Sequence, residues 1–423
     1  MTQRSRRALA MLLGLIVAAL PVAAESPAAL DRLISAGVAD NPHLAALRRR
    51  IEATEATVRQ AGSLPDPQAQ VALTNLPAGD LSLERTPMSG IQLGLHQMLP
   101  YPGRLDLREL AARQDVVITR ALYEESENAL IRQIRHSWNE LYYLHQAVEV
   151  TRLNKQIAEA LVEVAEALYS VGRRPQQDLV QANVQVARLV ERLIVLEERL
   201  GRAEAGLNAL LDRPPDAPVP EAMLSLEPLE LSAQALLDVA RQDRPMVREG
   251  RARVERAETM VALAQMNMKP DFNVGLSYRV RARSAMDSTG GQDFWSLSVG
   301  ANLPWLNRDL HEAEEDEQRA RLAQARERLR DTLSRVREAL DNALEAMERS
   351  RREAQLYEEG LIPEAELAFE AARSAYESGA VDLLTLLDAF RTLNSYQEAY
   401  YRAIADHENA VADLEFVIGQ RLR

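Results

Sequence analysis

Apolar positions recur along this chain with two periods, and the switches between them mark out its elements. Between Pro102-Gly103 and Gly172 there is neither proline nor glycine, and residues such as Ile157, Leu161, Val164 and Leu168 keep helical spacing. One helix of about 70 residues is predicted there, roughly 100 Å long at about 1.5 Å per residue. The segment returning from Gly172 places Val186, Leu189, Leu193, Leu196, Leu200, Ala203, Leu207 and Leu210 at alternating steps of three and four, the seam of a coiled coil. Near the C-terminus Leu393, Gln397, Tyr400, Ile404, His407, Val411, Leu414 and Ile418 carry the same seam with two polar interruptions.

Elsewhere the period is two. Ala69, Val71 and Leu73 alternate with Gln68, Gln70 and Thr74, and Ile91, Leu93 and Leu95 with Gln92, Gly94 and His96. Phe272, Val274, Leu276, Tyr278 and Val280 alternate with Asn273, Ser277, Arg279 and Arg281, and Trp295, Leu297, Val299 and Ala301 with Ser296, Ser298, Gly300 and Asn302. Four strands of about ten residues are predicted, each with one apolar and one polar face, the length and period of a transmembrane β-barrel.

The elements come in the same order twice. Asn41-Pro42 recurs as Arg244-Pro245, Leu64-Pro65-Asp66-Pro67 as Met268-Lys269-Pro270-Asp271, Leu99-Pro100-Tyr101 as Leu303-Pro304-Trp305, and Tyr169-x-x-Gly172 as Tyr376-x-x-Gly379. The predicted organisation is a first repeat over 25–212 and a second over 231–423, each with short helices, two strands and a long helical hairpin. The Pro-rich stretch 213–230, with Pro214, Pro215, Pro218, Pro220 and Pro228, is the linker between them. Gly360 and Pro363 interrupt the second long helix, so a kink or local loosening is expected near them.

A sheet in lipid must close, because an unpaired edge leaves N–H and C=O groups unsatisfied in hydrocarbon. Closed membrane barrels begin at about eight strands, so four per chain require association. Three copies giving twelve strands is the simplest ring with a lumen. The competing reading is a pore-less periplasmic coiled-coil scaffold capped by a soluble sheet; strands of this length and alternation favour the pore.

Composition narrows the compartment. Arg4, Arg6 and Arg7 precede the apolar run Ala8 to Leu20, and Val22-Ala23-Ala24 offers a cleavage site, so residues 1–24 read as a signal peptide and no retained transmembrane helix is expected. Removing them takes away three of the 50 basic residues and none of the 63 acidic ones, moving the formal net charge from -13 to -16. That balance argues against nucleic acid as a partner. With no cysteine, thiol chemistry and disulfides are excluded.

Two duplicated signatures carry a family resemblance. Tyr169-Ser-Val-Gly172 is followed by Asp178-Leu-Val-Gln-Ala182, and Tyr376-Glu-Ser-Gly379 by Leu386-Leu-Asp388-Ala389; beside them stand Leu99-Pro-Tyr-Pro-Gly103 and Leu303-Pro-Trp305. In this order the chain resembles the TolC-type outer-membrane efflux family over essentially its whole mature length. The resemblance implies a mainly α fold with a β-barrel portion: a trimeric twelve-stranded transmembrane β-barrel continued by a long periplasmic α-helical barrel, built from internally duplicated protomers. It implies a homotrimer in outer-membrane lipid, docked to a periplasmic adaptor (membrane fusion) protein and an inner-membrane efflux pump of the RND type, with no enzymatic activity and no cofactor. The junction motif and the segment from Tyr357 to Ala389, with Leu361-Ile-Pro363, are most similar to heavy-metal efflux channels of the CusC/CzcC type. Metal cations are therefore the expected cargo, with drugs, other small molecules or proteins as the alternative. A lipid anchor like that of CusC is not expected, for want of a cysteine.

The resemblance also assigns sites. The family's periplasmic constriction has aspartates six and nine positions after the second glycine; here these are Thr385 and Asp388, so one carboxylate ring replaces two. The family latch matches at Tyr376 and Asp178, but Val381 stands where an arginine is expected, leaving Arg173 or Arg174 of the other hairpin to supply charge. The plainer reading of Asp178 and Asp388 is that both sit in the first turns of returning helices, where the helix dipole favours anions. The tips Val171-Gly172-Arg173 and Ser378-Gly379-Ala380 are the expected adaptor-docking surfaces, because glycine tolerates positive φ and lets another backbone approach.

Two groups invite a metal reading. His311 and Glu315 share a helix face, with Glu312, Glu314 and Glu317 crowded beside them. A carboxylate-rich helix start is the ordinary explanation. Met266 and Met268 offer thioethers, but methionine is more often packing material. No metal site is expected, and His43, His136 and His145 form no catalytic grouping.

Overall fold

The computed structural model describes residues 26–224, 226, 232–283 and 291–422. The predicted signal peptide, 1–24, lies outside the described residues, as does part of the linker. Its described part, 213–224 and 226, contains no helix. Among the described residues no helix is long and apolar enough to cross a membrane.

Helices α1 (Ser26–Asp40) and α2 (Pro42–Ala61) are split at Asn41-Pro42, strands β1 (Gln68–Thr74) and β2 (Gly90–Leu99) follow, and then helices α3 (Arg104–Ser170) and α4 (Gln176–Leu210). The second series is α5 (Ala233–Asp243), α6 (Pro245–Gln265), β3 (Phe272–Arg281), β4 (Phe294–Ala301), α7 (Arg308–Leu356), α8 (Ile362–Ser378) and α9 (Leu383–Ile418). At 67 residues α3 has the length its unbroken pattern predicts. The expected break in the second long helix is a π turn over Tyr357–Leu361. Pro363 explains it: lacking an N–H, it leaves a carbonyl one turn back unpaired, and the backbone widens there.

The chain divides into two compact units, the first comprising Met1–Asn41, Ala129–Glu230 and Asn342–Leu414, the second Pro42–Asn128, Leu231–Asp341 and Glu415–Arg423. In the first, the predicted seam of α4 is buried or half-buried throughout, and one apolar cluster joins Leu161, Ala182, Phe369, Leu386 and Phe390. The rings of Phe369 and Phe390 lie 5.6 Å apart at 43°. Both polar interruptions of the α9 seam find partners: Asn154 donates to Gln397 at 3.3 Å, and His407 Nδ1 lies 3.1 Å from the Met347 carbonyl. Arg402 bridges Glu140 and Asp406, each at 2.6 Å, while its guanidinium stacks over Tyr143.

In the second unit the strands form one antiparallel sheet in the order β1-β2-β3-β4. Strands β2 and β3 have the expected ten residues, but β1 has seven and β4 eight. At the end of β1, Asn75 takes a left-handed φ of 55° and donates to the Met88 carbonyl, a conformation asparagine tolerates better than most. Register aligns the apolar positions into rows. Ala69, Leu95, Leu276 and Leu297 form one, and Val71, Leu93, Tyr278 and Trp295 the next.

This sheet is inverted relative to a soluble one. Its apolar face is bare, with Val71 72% and Leu297 74% exposed. The opposite face is knit by polar groups: Gln92 donates to Ser277 at 3.0 Å and Arg279 to Gln92 at 2.7 Å, and Ser277 and Arg281 are buried.

Arg104, the first residue of α3, ties this sheet to the helices and was not singled out by sequence reasoning. Buried, it donates to Asn267 Oδ1 at 2.8 Å and the Met266 carbonyl at 2.7 Å, and its Nε lies 3.2 Å from Asp271. Asp271 also accepts from the Tyr101 amide at 2.8 Å. Arg104→Ala leaves that carboxylate without its cation and is expected to cost about 3–5 kcal/mol. Arg104→Lys should recover only part of this, since a point charge lacks the planar fork. Chemical denaturation in detergent measures both; a loss under about 1 kcal/mol for Arg104→Ala would show that the cluster does not hold the junction.

Candidate functional site

The sequence-predicted site residues converge in the first unit, at the two glycine turns. Both turns have the same backbone. Gly172 and Gly379 sit at φ 72° and 89°. In the first, the Arg173 amide reaches the Leu168 carbonyl and the Gly172 amide the Tyr169 carbonyl, both at 2.9 Å; in the second, Ala380 reaches Ala375 at 2.8 Å and Gly379 reaches Tyr376 at 3.1 Å. This is the Schellman pairing, six-to-one and five-to-two, that closes a helix through a left-handed residue. Val171, Gly172, Arg173, Ser378, Gly379 and Ala380 are all exposed, and nothing lies within 4 Å of where a Cβ on either glycine would stand.

Identical backbones carry different side chains. Tyr169 is 42% exposed, while Tyr376, its equivalent, is 1% exposed. The Tyr376 hydroxyl donates to Asp178 Oδ2 at 3.1 Å, and Asp178 is itself buried. Burial, reinforced by the Asp178 carboxylate, pushes the Tyr376 phenol up to about 12, so it remains a donor at physiological pH. Asp178 occupies the first turn of α4, where the dipole also favours its charge.

Arg174 fills the place that Val381 leaves empty. It donates to the Tyr376 carbonyl at 2.8 Å and the Val381 carbonyl at 2.5 Å, and its guanidinium lies 4.5 Å from the Tyr376 ring centroid. A cation therefore caps the C-terminal carbonyls of α8, the favourable end of that dipole. Arg174 stands two positions after the first glycine, as Val381 stands two after the second. Arg173, the other candidate, points to solvent as part of the exposed tip.

Thr385 is engaged in capping: Asp382 Oδ1 accepts from the Thr385 amide at 2.9 Å and its hydroxyl at 2.7 Å, and Thr385 holds the Asp382 carboxyl below its ordinary range. The spacing Asp382-x-x-Thr385 is the signal that could have revealed it. Asp388 lies in the second turn of α9, which begins at Leu383, so the dipole of the first turn does not account for it. Leu384, Thr385 and Asp388 share an exposed face. Nearby, Arg391 donates to Gln185 at 2.9 Å, tying α9 to α4 as Tyr376 ties α8 to it.

The residues weighed as metal ligands lie in the second unit, in a network of their own. His311 Nδ1 is 3.1 Å from Glu314, which accepts from Asn267 at 2.9 Å; His311, then Asn267, hold the Glu314 carboxyl below its usual range. Glu315 accepts from Gln265 and Arg319, Glu312 pairs with Arg308, and Glu317 with Arg321. Met266 and Met268 form a 3-10 turn whose Met266 carbonyl receives Arg104. Among the described residues no group of three or more histidines and carboxylates converges as a metal site.

Known proteins share this architecture. The chain matches the family described as "Outer membrane efflux protein" over residues 33–213 and again over 236–420. It is 23% identical to the cobalt-zinc-cadmium resistance protein CzcC of Cupriavidus metallidurans over 406 residues, 96% of this chain and 93% of that one. It is also 23% identical to the pyoverdine export outer membrane protein OpmQ of Pseudomonas putida, covering 88% of this chain and 82% of that one. Among solved structures, the outer membrane protein VceC of Vibrio cholerae superposes with a TM-score of 0.80 at 20% identity, covering 94% of this chain and 97% of that one. CusC superposes with 0.77 at 16% identity, covering 93% and 92%. The two family matches span most of the sequence, and the chain therefore belongs to the outer membrane efflux protein family, whose members are channels of the Gram-negative outer membrane and not enzymes.

Proposed function

We propose that three copies of this chain form a duct, with their sheets joined into a twelve-stranded barrel and their long helices continuing it through the periplasm. The observation that carries this is the inverted sheet: a bare apolar face, a hydrogen-bonded polar face, and two strands, β1 and β4, that end the sheet on either side. Neighbouring copies pair those edges, as hydrocarbon requires. On this reading residues 1–24 are removed on export, and 25–212 and 231–423 are repeats joined by 213–230; the twofold family match and the twin Schellman turns support it. Native mass spectrometry in detergent should give three chains per particle, and a planar bilayer should conduct once the protein is added. A stable monomer in lipid, or a bilayer sealed at every voltage, would remove the duct.

The paired turns are the gate of this duct. Tyr376, Asp178 and Arg174 hold the two hairpins of one protomer together, and Asp388 on the exposed face of α9 supplies one carboxylate per copy to a periplasmic ring, with Thr385 just before it. Tyr376→Phe removes a donor from a buried carboxylate and should destabilise the closed state by about 1–3 kcal/mol, raising the open-to-closed ratio roughly 5- to 150-fold. Asp388→Ala should abolish block by divalent cations added on the periplasmic side, because rings of carboxylates select cations. Single-channel recording tests both. Unchanged conductance in the first variant would dismiss the latch; unchanged block in the second would dismiss the ring.

Cargo and partners follow from the same reading. A periplasmic adaptor meets the exposed tips, and an inner-membrane pump of the RND type delivers heavy-metal cations. The relative named for cobalt, zinc and cadmium resistance supports metals, while relatives named for pyoverdine export support a small organic molecule. Deleting the gene should sensitise cells to zinc, cobalt and cadmium, and the intact gene should restore resistance. Gly172→Trp or Gly379→Trp should keep the trimer in the outer membrane yet fail to restore resistance or adaptor crosslinking. Sensitivity to organic compounds alone would replace the cargo, and full rescue by both bulky variants would move the docking surface elsewhere.

A further inference from the structure

The polar face of the sheet is satisfied at one end and unspent at the other. Gln92, Ser277 and Arg279 are bonded to one another. Towards α3 the same face continues through His96 and Met98 of β2, which stand opposite Gly275 and Asn273 of β3. Here the side chains of Gln68, His96 and Asn273 form no hydrogen bond among the described residues, and with Asp66 and Met98 they line a cavity of about 450 Å³. Its rim is held in place. Gln97 donates to the Pro65 carbonyl at 2.8 Å, which fixes the adjoining Asp66 beside β2. His96 lies over Gly275, where a Cβ would collide with its Nδ1. Met98 is 48% exposed, and its neighbours across the sheet are Asn273 and Gly300, so packing does not account for a methionine on this face.

We infer that this cavity binds a soft monovalent cation, copper(I) or silver(I), with the His96 imidazole and the Met98 thioether as ligands and the Asp66 carboxylate as counter-charge. Residues two apart on a strand project to one face with their Cα atoms about 7 Å apart, a span that an imidazole and a thioether can close over a single ion. Thioether sulfur selects copper(I), and imidazole suits copper as well. Soft monovalent ions accept few ligands, whereas zinc is almost always held by four. Among the described residues no three histidines and carboxylates gather, which leaves zinc without a comparable site. In the proposed duct three such cavities face the lumen. The inference rests on that reading for its place along the path; the ligands come from one chain, so binding itself does not depend on it.

Silver(I) is the probe, because it needs no reductant. Calorimetric titration of the purified full chain in detergent, in chloride-free nitrate buffer, should show saturable binding of one ion per chain. Met98→Leu keeps the volume and removes the sulfur, and His96→Gln removes the imidazole. Each should weaken binding by about tenfold or more, the loss that even a group orienting a ligand costs. Met98→Cys returns a sulfur and should recover binding, which a misfolded variant would not do. Met266→Leu with Met268→Leu should bind as the parent does. X-ray absorption of the silver-loaded parent should show sulfur as well as nitrogen around the ion, and the sulfur should vanish in Met98→Leu. Equal binding by the parent, Met98→Leu and His96→Gln would mean adventitious silver only and overturn the site, as would a loss confined to the Met266 and Met268 variant. A conducting trimer that binds no silver sinks the inference and leaves the duct standing. Silver binding that depends on His96 and Met98, in a protein that leaves the bilayer sealed, does the reverse.

Discussion

Backbone groups at the edge of a sheet are the constraint from which the rest of this protein can be argued. Among the described residues, β2 and β3 are paired on both sides, whereas β1 and β4 each have a neighbour on one side only. In water, edge N–H and C=O groups are solvated at little cost; in hydrocarbon each unsatisfied group costs several kcal/mol. The apolar rows on this sheet belong in the second solvent. A single chain therefore makes a unit that is complete in its side chains and incomplete in its backbone, and the association proposed above would supply the missing bonds. Short outer strands fit that role, because the seven residues of β1 and eight of β4 limit how much edge is left unpaired before copies meet.

The hairpin turns show what a repeated backbone can be made to do. Schellman closures at Gly172 and Gly379 are the same to within hydrogen-bonding detail, so backbone geometry gives no preference between the two tips. Side chains create it. At the position six after each glycine one hairpin has Asp178 and the other Thr385; at the position two after, one has Arg174 and the other Val381; three before, both have tyrosine. Only Tyr376 finds a carboxylate and a guanidinium, and only Tyr376 is buried. In space, Arg174 and Asp178 from the first turn stand together with Tyr376 from the second.

Much of the fold was legible because its determinants are local. The length of α3 follows from the absence of helix breakers between residues 104 and 170, and the strands follow from strict alternation. The break near Gly360 and Pro363 was legible as a break but not as a π turn, which depends on how the freed carbonyl is repaired. The site was legible in part. The pairing of Tyr376 with Asp178 was expected from the family resemblance, and the two turns from their glycines. The choice between Arg173 and Arg174 was not, since adjacent residues differ only in direction. Arg104 was missed altogether, because Asp271, its partner, lies 167 positions away and nothing in the sequence around Arg104 marks it as buried. The length of β1 was misjudged because Asn75, one residue past the alternation, ends it by its φ.

The polar pairs between the long helices connect helix packing to the Tyr376–Asp178 contact. A seam of leucine and valine alone tolerates a shift along the helix, since every heptad offers similar holes, whereas a buried polar residue is satisfied in one register only. Asn154 with Gln397, Asn139 with Asn409, and Gln185 with Arg391 fix α9 against α3 and α4. Arg192 with Glu398 at 2.7 Å adds an ion pair along the same helix. The Tyr376 to Asp178 bond at 3.1 Å tolerates little sliding, because one residue of slip moves a helix by about 1.5 Å, enough to take a hydrogen bond out of range. Polar pairs of this kind contribute less to stability than leucines of the same volume would. What they contribute is a defined position, and a contact made of one hydroxyl and one carboxylate needs position more than it needs additional burial.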